Sequence, residues 1–87
     1  MNTLKRYWFR FSTFPSPTPL NLGCGVTAYS YDDAIGLLSL MVFNGEPLPQ
    51  IVACTTDVDV STLDEKHVRP NMGLVTIRGV WFPQGYQ

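Results

Sequence analysis

Charge is scarce in this chain of 87 residues: Asp, Glu, Lys and Arg together make up 15% of it. Their formal balance is −1 at neutral pH. The basic footprint that nucleic-acid binding usually needs is missing, and no nucleic-acid partner is expected. Long apolar runs are missing as well. None approaches the ~18 residues of a membrane span, so no membrane partner is expected. Met1 to Phe11 mixes Lys5, Arg6 and Arg10 with aromatics, without the apolar stretch and small-residue cleavage site of a signal peptide. The expected setting is the cytoplasm, where Cys24 and Cys54, the only two cysteines, stay reduced. Both read as buried thiols, because free cysteine behaves as a small hydrophobe. Histidine is scarce too. A general base needs a nucleophile and an orienting group beside it, and nothing in the sequence links His67 to either cysteine. An enzyme is not expected, and no cofactor is.

Apolar residues, by contrast, make up 45% of the chain, which excludes a disordered tail. The length suits one domain spanning 1–87. Residues 5–12 alternate with period two: Tyr7, Phe9 and Phe11 on one side, Trp8 and Arg10 on the other, which is a strand signal. Phe14-Pro15-Ser16-Pro17-Thr18-Pro19 cannot continue a ladder and reads as an extended surface loop. A second strand follows from about Gly25 to Tyr29, with Gly23 and Gly25 marking a bulge or a close backbone approach. Their Gly-x-Gly lacks a third glycine and opens onto a strand, so it is no phosphate loop, which needs helix N-terminal amides.

Ser30-x-x-Asp33 is a capping-box-like helix start, and Asp32 and Asp33 suit the positive end of the helix dipole. The helix is expected to reach Phe43, where Asn44-Gly45 stops it. Ala34, Leu37, Leu38, Met41 and Val42 share its sheet-facing side. Leu40 and Phe43 fall on the opposite side and need a cover, either the proline-rich loop or another chain. Gln50 to Thr56 reads as a third strand, Ser61 to His67 as a helical turn, Pro70-Asn71-Met72-Gly73 as a turn, and Leu74 to Phe82 as the last strand. On that strand Trp81 and Phe82 take opposite faces. The expected fold class is α+β: an antiparallel sheet of about four strands, in the order β-β-α-β-β, with one main helix on one face. With aromatics on both faces of the first and last strands, the uncovered face should show an aromatic patch, a common mark of contact sites.

Asp57, Asp59, Asp64 and Glu65 gather near His67. Asp57-x-Asp59-x-Ser61 copies the opening of a calcium loop, but the Gly and Glu that such a loop needs are replaced by Thr62 and Val68. No metal site is expected. These acids read as turn and cap residues, or as a patch for a basic partner. Lys5, Arg6 and Arg10 among the strand aromatics could suit base stacking. With net charge opposed, they read instead as guards of an edge strand.

Taken together, Gly23-Cys24-Gly25-Val26-Thr27-Ala28-Tyr29, Asp32-Asp33-Ala34, the stretch Asp57 to Asp64, His67-Val68, Pro70-Asn71-Met72-Gly73 and Arg78-Gly79-Val80-Trp81-Phe82-Pro83 resemble a family of short, uncharacterised bacterial proteins. The resemblance spans about Tyr7 to Gly85 and implies a bacterial, single-domain, stand-alone protein. That family carries no assigned activity, so it lends no functional residues.

The functional expectation is a non-enzymatic protein-binding module, an immunity-type inhibitor or small regulator by analogy of size and composition. Its contacts would be Trp8, Trp81, Leu40 and Phe43, with Asp57, Asp59, Asp64 and Glu65 matching a basic target. The alternative is a homodimer with a small-molecule pocket between its copies. The expected partner is thus a protein or a second copy of this chain.

Overall fold

A computed structural model describes residues 3–12, 14–15 and 18–84; of the proline-rich loop, Ser16 and Pro17 lie outside the described residues. Strands β1 (Lys5–Phe11), β2 (Cys24–Ala28), β3 (Ile51–Thr56) and β4 (Gly79–Phe82) form one sheet in the order β3-β1-β2-β4, all neighbours antiparallel. Helix α1 (Tyr31–Leu37) continues as a π-helical turn, Leu38–Val42. The expected α+β architecture is present. However, β1 is an interior strand, so Lys5, Arg6 and Arg10 do not guard an edge.

The strand order dictates the rest. β2 and β3 both run opposite to β1, so they are parallel to each other with β1 between them. Their connection carries the helix over one face. β3 and β4 occupy opposite edges, so the link between them, residues 57–78, must cross the whole sheet. It covers the second face.

Each face therefore has its own core. Between the helix and the sheet, Tyr7, Phe9, Phe11, Cys24, Val26, Ala28 and Val80 pack with Leu38 of the π turn. On the other face, Trp8, Trp81 and Phe82 pack with Val58 and Val68 of the crossing segment, flanked by Val60, Leu63, Met72 and Val75. The Trp8 and Trp81 rings stack at 5.9 Å, and Phe82 sits 5.5 Å from Trp8. The uncovered aromatic face expected from the sequence is thus filled from within the chain. Trp8 is 8% exposed and Trp81 1%. Neither forms a partner surface in this fold.

The two early glycines make this core possible. A Cβ on Gly25 would stand 2.4 Å from the Trp81 ring, and one on Gly23 would stand 2.5 Å from the Trp8 ring. Of the two readings of these glycines, the close approach is present; the bulge lies opposite, in β4: Val26 pairs with Val80 but Gly25 with Phe82, leaving Trp81 as the extra residue. That extra residue breaks the period-two alternation, and Trp81 and Phe82 join the same core rather than opposite faces. The last strand is shorter than expected because 75–78 form a turn before Gly79, whose φ is +146°. The Thr27 hydroxyl donates to the Val75 carbonyl at 2.6 Å and fastens the crossing segment to β2.

The helix starts as its sequence specifies. The Ser30 hydroxyl accepts from the Asp33 amide at 3.1 Å, and the Asp33 carboxylate accepts from the Tyr29 amide at 3.0 Å. The same carboxylate takes a two-pronged hydrogen bond from Arg78, with Nε at 2.9 Å. This ties the helix start to the turn before β4. At the other end the Phe43 amide donates to the Leu38 carbonyl five residues back. The wider π turn rotates the chain less per residue than an α-helix. Phe43 is thereby brought round to meet Phe11 edge-on at 5.6 Å. The expectation that Phe43 points away from the sheet fails for that reason, while Leu40 does point outward and is 72% exposed.

Candidate functional site

The acidic segment is mostly occupied by its own turns. Asp59 accepts from the Ser61 amide at 3.0 Å and from the Ser61 hydroxyl at 2.7 Å. Asp64 accepts from the amides of Lys66 at 2.8 Å and His67 at 2.9 Å. These bonds hold both carboxyls below the usual carboxylate range: Ser61 lowers Asp59, and the His67 and Lys66 amides lower Asp64. Asp57 ends β3 in the left-handed region, with φ +56°. Glu65 is exposed. The His67 ring lies 3.4 Å from Asp64 on the surface. Among the described residues no group of three or more His, Cys, Asp or Glu side chains gathers to hold a metal ion.

The cysteines flank one residue. Cys24 and Cys54 both pair with Phe9, from opposite sides. They therefore stand two strand spacings apart, about 10 Å, well beyond the reach of a disulfide. Both are free. Burial pushes the Cys24 thiol up to about 12, which leaves it inert as a nucleophile. Cys54 departs from the expectation of a buried thiol: it is exposed, because β3 is an edge strand that the rest of the fold leaves open.

The two edges of the sheet differ. Along β4 the chain's own segment supplies a partner: the Gly73 amide donates to the Trp81 carbonyl at 2.7 Å, and just past the strand the Gln84 amide donates to the Asn71 carbonyl at 3.2 Å. Along β3, among the described residues, backbone bonding runs to β1 alone. Val52 to Thr56 are all exposed, Val52 by 55%. Ile51–Thr56 holds no charged residue and no proline, two of the usual guards of an edge strand. A third guard, a bulge, is present: Arg10 pairs with Ala53 but Phe11 with Ile51, leaving Val52 as the extra residue. The straight part of the strand runs from there to Thr56.

A second feature lies on the far side of the molecule. Met41, Leu74, Ile77, Arg78 and Val80 line a groove of about 380 Å³ between the helix and the turn before β4. Leu74 and Ile77 stand exposed at its rim. Arg78 is engaged by Asp33 there, so the groove is apolar in its lining and largely neutralised in charge.

Of the residues expected to contact a partner, the structure places Leu40 on the surface of the helix, Phe43 half-buried against Phe11, and Trp8 and Trp81 in the core. It does not bring Leu40 and the acids into one patch with the tryptophans. The β3 edge and the apolar groove were not singled out from sequence. The signal for the edge was present as six uncharged residues in a row, but nothing in such a run separates an edge strand from a central one. Comparison with protein-family models, with curated proteins and with solved structures finds no match to this chain. No helix among the described residues is long and apolar enough to cross a membrane.

Proposed function

We propose that the chain is a non-enzymatic protein-binding module whose contact element is the open edge of β3. The observation that supports this reading is the uncharged strand Ile51–Thr56, exposed from Val52 to Thr56, in a sheet whose other edge is bordered by the chain's own Asn71–Gly73 segment. An unpaired edge offers a row of backbone donors and acceptors to an added strand, and alternate side chains supply selectivity. An immunity-type inhibitor or small regulator, acting in the cytoplasm with both thiols reduced, fits this mode. Such a protein works by occupying a surface and needs no catalytic group. Asp57, at the end of the edge, and Glu65 are the acids left for a basic partner.

The test is capture from a lysate of cells that make the protein, with three baits: the parent chain, Thr55→Lys and Leu74→Ser. A protein held by the parent and by Leu74→Ser but lost with Thr55→Lys supports the edge as the contact. Identical captures by all three contradict it.

The groove supports a second reading, a module that binds a small apolar molecule. A thermal-shift screen of apolar compounds tests it, since a ligand of the native state raises its Tm. A hit abolished by Leu74→Ser and Ile77→Ser would support this reading; no shift with any apolar compound would contradict it.

A further inference from the structure

We propose that a second copy of this chain occupies the β3 edge, strand against strand, around a two-fold axis that passes through Cys54. The proposal rests on the reading of this edge as a contact surface and names its occupant. Closed dimers are two-fold symmetric as a rule, and a two-fold axis perpendicular to a sheet makes the meeting strands antiparallel. In an antiparallel pair the residues directly opposite point their backbone groups the same way, toward each other or apart. A strand meeting its own copy must therefore have one residue that faces itself. The exposed stretch of the strand, before the turn at Asp57, is Val52 to Thr56, and its midpoint is Cys54.

That register sets Cys54 against Cys54, Ala53 against Thr55, and Val52 against Thr56. Charge argues for self-pairing. Under a two-fold axis any charged residue near the centre is repeated close to itself, so a self-pairing strand must be neutral there. This strand is neutral throughout and meets that condition. Antiparallel pairing also brings the Asp57 end of one strand beside the Ile51 end of the other. Arg10, exposed on β1 one strand inward from there, offers that carboxylate an opposite charge. The straight stretch is short, so the interface falls in the small class below about 1,200 Å² that marks weak, transient association. The dimer should form in the micromolar range and dissociate on dilution.

The experiment uses the full chain. Light scattering across low to high micromolar concentration should show the mass rising from monomer toward dimer. Copper–phenanthroline in air oxidises facing thiols to a disulfide, passing two electrons to oxygen. It should give a covalent dimer that peptide mapping assigns to Cys54–Cys54, since opposed strand residues have Cα atoms within disulfide range. Cys54→Lys places two cations face to face at an exposed position and should weaken the dimer at least about tenfold. Thr55→Lys is the second variant should Cys54→Lys fail to fold. A strict monomer at high micromolar concentration, or a dimer that neither variant weakens, overturns the proposal. A strict monomer whose captures are still lost with Thr55→Lys overturns the second copy alone and leaves the edge as the contact for a foreign protein.

Discussion

The two edges of one sheet show how this chain distributes its apolar material. β4 is four residues long, buried from Val80 to Phe82, and bordered by the chain's own Asn71–Gly73 segment. β3 is six residues long and exposed from Val52 to Thr56. The difference follows from the connections. The segment that leaves β3 returns across the second face to reach β4, so it ends by lining the far edge and leaves its own origin open. A chain of this size has two long crossings to spend on two faces and one edge. The remaining edge carries the surface that folding does not use, and function is proposed there.

Substitutions sharpen that contrast, beginning with the largest expected effect. Trp81→Ala should cost about 3–5 kcal/mol, read as a lower midpoint in a urea melt. Thr55→Ala on β3 should stay within about 0.5 kcal/mol of the parent. A mild Trp81→Ala would mean that the second face is not a core. Thr27→Val should follow at about 1–2 kcal/mol. It removes the donor to the Val75 carbonyl and leaves a part-buried acceptor unpaired.

A smaller effect is expected from pH. Arg78 and the Tyr29 amide hold the Asp33 carboxyl down at about 2, below its ordinary value of about 4 in an unfolded chain. A depressed folded value contributes stability that is full above the ordinary pKa and is lost as pH falls from about 4 toward 2. The parent should therefore lose Tm across that window. Asp33→Asn should start lower and fall less steeply there, and a parallel fall in both would exclude the pair as the cause.

Sequence foretold the elements whose signals are local. Ser30 and Asp33 announce the helix start, Gly23 and Gly25 announce a bulge or a close backbone approach, and alternation from Tyr7 to Phe11 announces the first strand. It was silent where an element depends on what lies across from it. Val58, Val60, Leu63, Val68, Met72 and Val75 follow neither a period of two nor one of 3.6, so nothing marked residues 57–78 as the cover of a sheet face. The π turn and the extra residue at Trp81 each shift a side chain to another face, and both arise from backbone geometry that residue types do not encode. The aromatic surplus that suggested an external partner is satisfied within the chain. The open surface is formed instead by the plain run Ile-Val-Ala-Cys-Thr-Thr.

Amide hydrogen exchange on the two edge strands tests the contrast most directly. In dilute solution the amides of β4 should be strongly protected, while the outward-facing amides among Val52 to Thr56 exchange rapidly. Those β3 amides should become protected as concentration rises. Uniform protection of β3 in dilute solution, or rapid exchange throughout β4, would contradict the account.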